Sequence, residues 1–240
     1  MGGLNEGQET TAQLAERIAG NIEELYTDVA QAAERSGRDL EDVLLVAVSK
    51  TVGPNEIRQA IRAGLTDFAE NRSNLFRERA DAFPDVNWHF IGRIQTNKVK
   101  DFTGRATLVH SVASDRVLLA IEQRAQNRGI LQPVLIEVNV SGEESKDGVS
   151  VEELPGLLHI ASALQAVSVN GLMTMAPIGD ADIIRRCFRK LHGIREKMQS
   201  DFSGVANLPL TELSMGMSDD FLIAVEEGAT MIRIGRSVWK

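Results

Sequence analysis

The order of apolar and polar residues predicts strands and helices that alternate along most of the chain. Residues 43–50 begin this alternation with a run of Val, Leu and Ala that ends at Ser49 and Lys50. Unbroken apolar runs are typical of strands buried on both faces, as in a parallel sheet covered by helices. Seven further strands are predicted at 67–69, 88–91, 108–111, 134–140, 167–173, 210–214 and 230–235.

One long helix is predicted before the first strand, and shorter helices are predicted between the strands. Residues 9–35 carry apolar side chains at intervals of three and four, which is the spacing of an amphipathic helix. The later helices are predicted at 54–63, 72–82, 95–102, 115–127, 151–164, 181–199 and 219–228, and none is predicted after the last strand.

This alternation of eight strands with helices predicts an α/β fold, a single (β/α)8 barrel of the TIM type. Residues 1–240 would form one domain, with the helix at about 9–35 as an addition at the amino terminus. The alternative is a doubly wound open sheet, because alternation alone does not decide whether the first strand pairs with the last.

Composition and charge narrow the possible partners. Of the 240 residues, 43% are hydrophobic and 25% are charged, as in soluble globular proteins. The net charge of -8 argues against a nucleic-acid partner, because phosphate backbones are bound by clustered cations. Arg72, Arg77 and Arg79 lie at helical spacing, and we interpret them as a solvated helix face. Neither a membrane span nor a signal peptide is found in the sequence, so a cytoplasmic location without a membrane partner is predicted.

Neither a disulfide nor a metal site is predicted. Cys187 is the only cysteine, and we interpret it as a structural residue on the inner face of a helix. The four histidines are widely separated, and neither a His-Glu-x-x-His nor a Cys-x-x-Cys motif occurs.

Lys50 is the first candidate for a reactive residue. It follows the first predicted strand at its carboxyl end. Burial at the rim of an apolar barrel lowers the pKa of an amine and makes it a nucleophile of the kind that forms Schiff bases. The alternative is an ordinary lysine whose charged end reaches solvent. Active sites of (β/α)8 barrels lie at the carboxyl ends of the strands, which is where Lys50 is expected.

The last two predicted strands add phosphate-binding loops and a cation to the same face. Residues 214–218 and 235–237 follow these strands, and their hydroxyls and glycine-exposed amides suit phosphate oxygens. Arg233 lies on an otherwise apolar strand and needs an acceptor, for which a salt bridge to Glu70 or Glu212 is the alternative to a ligand. A reactive lysine, a phosphate cradle and an arginine together indicate pyridoxal 5′-phosphate.

Eight short segments follow one another in a characteristic order, at 46–51, 68–71, 88–92, 95–98, 145–148, 171–173, 213–220 and 232–235. Together they resemble the pyridoxal-phosphate homeostasis proteins (the YggS/PROSC-like family), whose fold is similar to the amino-terminal barrel of alanine racemase. The resemblance covers nearly the whole chain from Leu44 to Gly235.

The resemblance implies that Lys50 holds pyridoxal 5′-phosphate as an internal aldimine. It also implies that Ser214 and the backbone amides of Gly235 and Arg236 hold the phosphate. Arg236 stands where the family usually has Ser or Thr, so a contact at this position would come from the backbone or from the guanidinium itself.

The resemblance further places Arg233 opposite the pyridine nitrogen and Asn71 beside the ring. A guanidinium keeps its proton near neutral pH, so the ring nitrogen should stay unprotonated and the ring should be a poor electron sink. This disfavours transamination. Three other positions depart from the family pattern, with Ala69 in place of Gly, Arg72 in place of an aromatic residue and Arg93 in place of Pro.

The function that the resemblance implies is to hold and hand over the cofactor, in vitamin B6 and amino-acid homeostasis, without turnover of a substrate. The implied partners are the cofactor and the apo-enzymes that require it, and the chain itself would be a monomer or a weak homodimer. Racemases of related fold take a second base from a tyrosine of a separate domain, whereas the only tyrosine here, Tyr26, lies in the first helix.

Two other functions stay open at this point. A small racemase or lyase of amino acids, dependent on pyridoxal phosphate, would use Lys50 together with a histidine as the second acid or base. His89 and His110 lie on predicted strands and His159 and His192 in predicted helices, and we interpret all four as structural. The remaining alternative is a scaffold barrel with a vestigial site.

Overall fold

Eight parallel strands close into a barrel in the computed structural model, which describes residues 9–143 and 146–240. The strands follow one another around the barrel in sequence order, and the first pairs with the last between Leu44 and Met231. The predicted (β/α)8 barrel is therefore confirmed, and the open doubly wound sheet is wrong. The strands are β1 Leu44–Val48, β2 Asp67–Glu70, β3 Asn87–Phe90, β4 Leu108–Val112, β5 Gln132–Glu137, β6 Val167–Met173, β7 Glu212–Ser214 and β8 Met231–Ile234.

Helices surround the barrel and connect its strands. They are α1 Thr11–Arg35, α2 Pro54–Arg62, α3 Ser73–Ala82, α4 Val99–Phe102, α5 Asp115–Gln126, α6 Leu154–Ser162, α7 Ala181–Asp201, α8 Phe221–Glu226 and α9 Arg236–Trp239. Short 3-10 turns at Leu40–Asp42 and Thr96–Lys98 precede β1 and α4. The segment 145–148, one of the eight in the family resemblance, lies partly outside the described residues.

The N-terminal helix α1 covers one side of the barrel. Its first turn is fixed by a capping box, in which the Thr10 side chain accepts from the Gln13 backbone N–H and the Gln13 side chain accepts from the Thr10 backbone N–H. Its apolar face packs against α2, α8 and α9, with Ile18, Ile22 and Leu25 buried. This packing removes the long helix from water and holds the end of the chain against the barrel.

Two details of the strand and helix pattern differ from expectation. The sequence predicts no helix after the last strand, but α9 occupies Arg236–Trp239, and the Trp239 indole donates to the Val48 carbonyl at 2.8 Å. This helix is too short to show an apolar period. The fifth strand ends at Glu137 rather than residue 140, because the Asn139 side chain accepts from the Ser141 hydroxyl and the Gly142 N–H and turns the chain.

Apolar residues fill two separate regions. The larger core lies between the barrel and its helices, and smaller apolar clusters inside the barrel are formed by Val46, Val48 and Ala69 and by Leu108, Leu135 and Met173. Polar side chains from several strands share the barrel interior with these clusters. No described helix is both long enough and apolar enough to cross a membrane. The cytoplasmic location stays a prediction.

Candidate functional site

A cavity of about 500 Å³ opens at the carboxyl ends of the strands. This volume is in the range of small-molecule binding sites, and the position is where (β/α)8 barrels carry their active sites. Five of the six predicted site residues line it, and Ser214 does not. The lining residues are Val48, Lys50, Thr51, Asn71, Ile91, Met173, Met175, Met217, Ser218, Asp219, Arg233, Gly235 and Arg236.

Lys50 stands two residues beyond the end of β1, at the cavity mouth. Its side chain is exposed, so the expectation that its amine is buried is wrong. Its backbone is nevertheless fixed, because Arg79 donates to the Ser49 and Val52 carbonyls, both at 2.7 Å, and Arg72 donates to the Lys50 carbonyl at 3.1 Å. The lysine is therefore carried on a rigid turn while its amine stays accessible.

Arg79 lies in the protein rather than on a solvated helix face, which corrects the interpretation made from helical spacing. Its side chain is 11% exposed and pairs with Glu70, whose side chain is fully buried. Glu70 also accepts from the Asn71 N–H at 2.9 Å and the Arg72 N–H at 3.2 Å. One buried ion pair thus ties the Lys50 turn to the end of β2, where Asn71 lies.

Asn71 is placed at the cavity by the close approach of the next strand. A Cβ atom on Gly92 would lie 1.8 Å from the Asn71 carbonyl oxygen, so this contact requires glycine at the end of β3. The side chain of Asn71 is exposed at the mouth and lines the cavity near Lys50. Lys50 and Asn71 therefore share one rim of the site.

Arg233 forms the floor of the cavity and is 4% exposed. Its guanidinium donates to the Ser214 hydroxyl at 2.7 Å and to the Thr174 carbonyl at 3.0 Å. The proposed salt bridges are wrong, because Glu70 pairs with Arg79 and Glu212 accepts from the Thr230 hydroxyl.

The charge of Arg233 is buried without an ion-pair partner in the described part of the chain. Burial lowers the pKa of Arg233 to about 10, although the charges of Glu137 and Asp220 raise it in part. The group therefore remains a cation at neutral pH. A buried cation of this kind favours an acceptor or an anion as the occupant of the cavity.

The loops after β7 and β8 supply the donors on the other side of the cavity. Gly216 has φ +93°, and a Cβ atom there would lie 2.6 Å from that of Ala224, so the β7 loop requires glycine. Ser218 lines the cavity beyond this turn. Within residues 9–143 and 146–240, the backbone N–H groups of Gly235 and Arg236 have no acceptor. These free donors suit an anion, as expected for phosphate.

An exposed ion pair between Arg236 and Asp219 connects the two loops at the mouth. Both residues line the cavity, so the Arg236 guanidinium stands close to any anion held there. Asp219 alone would repel such an anion, and the pairing with Arg236 offsets that charge.

Ser214 lies below the cavity floor, with a side chain that is completely buried. Its hydroxyl is bonded to Arg233 and, at 2.8 Å, to His110 Nδ1. His110 Nε2 lies 2.9 Å from His89 Nδ1, and His89 Nε2 lies 3.0 Å from Asp67 Oδ1. Neither histidine lines the cavity. The sequence places His89 and His110 on predicted strands but does not predict this buried polar chain.

Glu137 ends β5 and is 5% exposed. Burial, together with the nearby Asp147 carboxylate, raises the pKa of Glu137 to about 7. Arg233 and Arg93 limit the rise because their charges favour the ionised form. Burial therefore opposes the ionisation of Glu137 in the folded protein.

The pH dependence of stability should change when Glu137 is replaced with glutamine. A carboxyl with a raised folded pKa destabilises the folded protein increasingly as pH rises from its ordinary value of 4.5 to about 7, a loss of about 3 kcal/mol. We expect the unfolding free energy of the wild type, relative to Glu137→Gln, to fall over that interval in urea titrations. A difference independent of pH would contradict the raised pKa.

The described residues of the site are not grouped in a way that could bind a metal ion. Among the residues that the structure describes, no three His, Cys, Asp or Glu side chains are placed together as a metal centre requires. Cys187 is buried, and burial raises the pKa of its thiol, in keeping with its structural interpretation.

Known proteins resemble this chain in sequence. A family model described as "Alanine racemase, N-terminal domain" matches residues 21–240. A pyridoxal phosphate homeostasis protein of Aquifex aeolicus is 44% identical over 210 residues, which are 86% of this chain and 90% of that protein. One from Pseudomonas aeruginosa is 38% identical, over 92% of this chain and 94% of that protein.

Solved structures resemble this chain in fold. PipY of Synechococcus elongatus, whose structure has PLP bound, is 31% identical with a TM-score of 0.79, over 93% of this chain and all of that one. Alanine racemase from Corynebacterium glutamicum is 16% identical with a TM-score of 0.68, over 93% of this chain and 60% of that one. At that identity the likeness to the racemase concerns the fold alone.

Proposed function

This chain belongs to the pyridoxal phosphate homeostasis proteins, within the alanine racemase N-terminal domain family, and we propose from this premise that it binds pyridoxal 5′-phosphate. The proposed role is to hold the cofactor and hand it over in vitamin B6 and amino-acid homeostasis, with the whole chain as one cofactor-binding domain. The observation that carries the proposal is the single cavity that joins Lys50, Arg233 and the two donor loops.

The residues of the cavity fit the parts of this cofactor. When bound, the cofactor supplies an aldehyde that condenses with a primary amine and a ring that can withdraw electrons. The Lys50 amine is the accessible primary amine of the cavity, and Arg233 offers donors to the ring nitrogen. Apolar surface from Val48, Ile91 and Met173 suits the ring itself.

The chemistry of Arg233 explains why the site would bind the cofactor without driving transamination. A guanidinium carries five N–H donors and no acceptor. Two of these donors are engaged by Ser214 and Thr174, so the others remain for the cofactor. A ring nitrogen beside Arg233 must therefore accept a hydrogen bond, stays unprotonated and withdraws electrons poorly.

The phosphate would be held by Ser218, by the free amides of Gly235 and Arg236 and by the Arg236 side chain. The family resemblance implies Ser214 for this contact; we propose Ser218 instead, because Ser218 lines the cavity and Ser214 does not. The Arg236 guanidinium reaches the mouth from the β8 loop and can exchange its contact with Asp219 for an anion.

Removal of the Ser218 hydroxyl should weaken binding of the phosphorylated cofactor only. We expect Ser218→Ala to raise the Kd for pyridoxal 5′-phosphate about tenfold, which is a typical cost for a hydrogen bond to a charged group. The Kd for pyridoxal should not change. Ser214→Ala is the matched control: its hydroxyl contacts Arg233, so both ligands should weaken equally. The assignment is wrong if Ser214→Ala discriminates between the ligands and Ser218→Ala does not.

A non-catalytic role is supported by what the cavity lacks. No histidine or tyrosine is among its lining residues, and Tyr26 lies in a separate groove between α1 and α2. Racemisation needs a second acid or base opposite the lysine, and the one carboxylate among the described lining residues, Asp219, is paired with Arg236. The exposed mouth around Lys50 also gives a path by which the cofactor can leave for an apo-enzyme that requires it.

Two measurements on the purified protein test this function. After incubation with pyridoxal 5′-phosphate and borohydride reduction, mass spectrometry should show one covalent adduct per chain, on the Lys50 peptide. Amino acids added to the loaded protein in deuterated water should show no sustained exchange at Cα. Absence of the adduct would overturn cofactor binding, and continued exchange would overturn the non-catalytic role.

A further inference from the structure

A continuous chain of five side chains crosses the interior of the barrel beneath the cavity. It runs from Asp67 through His89, His110 and Ser214 to Arg233, with successive contacts of 3.0, 2.9, 2.8 and 2.7 Å. Its members come from β2, β3, β4, β7 and β8. We call it the interior chain.

The donors and acceptors of the interior chain follow in one direction when both imidazoles are neutral, because the Asp67 carboxylate can only accept. Arg233 can only donate, so the Ser214 oxygen accepts from it, and Nδ1 of a neutral His110 protonated at Nε2 accepts the Ser214 O–H. His110 then donates from Nε2 to His89 Nδ1, and His89 donates from Nε2 to the Asp67 carboxylate. In this arrangement both imidazoles carry their proton at Nε2. All four hydrogen bonds point the same way, from the cation to the anion.

Every member of the interior chain is removed from water. Relative exposures are 5% for Asp67, 2% for His89, 0% for His110 and Ser214, and 4% for Arg233. Aligned hydrogen bonds strengthen one another in such surroundings. Asp67 also accepts from the Thr66 hydroxyl at 2.7 Å. Burial alone raises the pKa of Asp67, but its hydrogen bonds from His89 and Thr66 outweigh burial and hold the pKa below its usual value.

Arg233 has no directly bonded carboxylate among the described residues, and the charges of Glu137 and Asp220 compensate its charge only in part. Its guanidinium touches a hydroxyl and a carbonyl, and no carboxylate of the described residues pairs with it. An isolated buried cation is costly unless its charge is compensated. Through the interior chain, the carboxylate of Asp67 is the anion to which the Arg233 guanidinium is connected.

We propose that Asp67, His89 and His110 are positioning residues that orient Arg233 toward the cofactor, with Asp67 as its remote counter-ion. This inference rests on the proposed function. The interior chain holds one amino group of Arg233 on Ser214, so the remaining donors keep one direction at the cavity floor. It also commits the Ser214 hydroxyl to His110, which leaves the phosphate to Ser218. The strength with which Arg233 polarises the ring nitrogen then depends on the charge of Asp67.

The decisive variant is Asp67→Asn. An asparagine oxygen can still accept from His89, and its amide can donate to Thr66, so the fold is retained while the charge is removed. We expect the Kd for pyridoxal 5′-phosphate to rise about tenfold, as for groups that support metal ligands from behind, and the visible absorbance maximum of the bound cofactor to shift. Asp101→Asn removes another buried carboxylate, outside the interior chain on α4, and should change neither.

Two variants of His110 separate a role in hydrogen bonding from one in packing. His110→Phe fills the space but provides no partner to Ser214 or His89. His110→Asn restores a polar atom near the position of Nδ1 and with it an acceptor for Ser214. We expect His110→Asn to bind the cofactor more tightly than His110→Phe, with an absorbance maximum closer to that of the wild type.

The cofactor-free protein tests the geometry separately from the proposed function. Nitrogen-15 NMR should show His89 and His110 as neutral imidazoles protonated at Nε2. Other tautomers, or equal effects of Asp67→Asn and Asp101→Asn on Kd and absorbance, would overturn the positioning role. If the wild type forms no adduct but shows these tautomers, the proposed function fails while the arrangement of the interior chain stands.

Discussion

Lys50→Ala protein should form no covalent adduct with pyridoxal 5′-phosphate after borohydride reduction. Lys50 supplies the primary amine of the cavity, and alanine cannot condense with an aldehyde. Arg233 and the donor loops stay in place, so weak reversible binding should remain, with a Kd raised on the order of a hundredfold, or about 3 kcal/mol. Mass spectrometry of the reduced protein measures the adduct, and equilibrium dialysis measures the residual affinity.

The Lys50→Ala protein should fold normally, so a missing adduct would report the loss of the amine and not the loss of the fold. The Lys50 side chain is exposed, and the turn is held through backbone carbonyls that the substitution leaves unchanged. Lys197→Ala, at an exposed position of α7, is the matched control and should bind like the wild type. An adduct that persists in Lys50→Ala, or disappears in Lys197→Ala, would show that another amine reacts with the cofactor.

The sequence predicted the barrel because its strands and helices are short, regular and dictated by local patterns. The unbroken apolar run at 43–50 indicates β1, and glycine or proline separates the elements that follow. Closure was predicted from the number of units, and the pairing of Leu44 with Met231 confirms it. Lys50 was found for the same local reason, because it follows the strand directly.

The interior chain was missed because its partners are distant in sequence. Asp67, His89 and His110 each stand among apolar residues of a short strand, which places them on one face but does not identify what they contact. His110 and Ser214 are 104 residues apart and meet only after the barrel closes. Polar residues within several predicted strands were the available signal, but the sequence does not show that they face one another inside the barrel.

Ser214 and Ser218 belong to the same sequence motif but lie in different surroundings. Ser214 and Ser218 both belong to the segment 213–220, and either hydroxyl suits a phosphate. Ser214 is the last residue of β7 and points into the barrel, whereas Ser218 follows the turn at Gly216 and reaches the cavity. Side-chain direction, rather than residue type, distinguishes them.

Arg79→Met should cause the largest loss of stability among the substitutions considered. The change leaves the Glu70 carboxylate completely buried without its ion-pair partner, and it leaves the Ser49 and Val52 carbonyls without a donor. Breaking a buried pair from one side costs about 3–5 kcal/mol. We expect urea denaturation to show this loss in the free energy of unfolding. Glu78→Met, at an exposed position of the same helix, should change it by less than about 0.5 kcal/mol.

The double variant Glu70→Gln/Arg79→Met identifies the cause of this loss. Glutamine removes the stranded charge, yet its oxygen can still accept from the Asn71 N–H, so the double variant should regain part of the lost stability. The Lys50 turn would still lack the Arg79 donors, because methionine has none. Covalent binding of the cofactor should therefore stay slower than in the wild type even where stability is regained. Equal stability of the single and double variants would show that the lost contacts to Ser49 and Val52, and not the charge on Glu70, account for the effect.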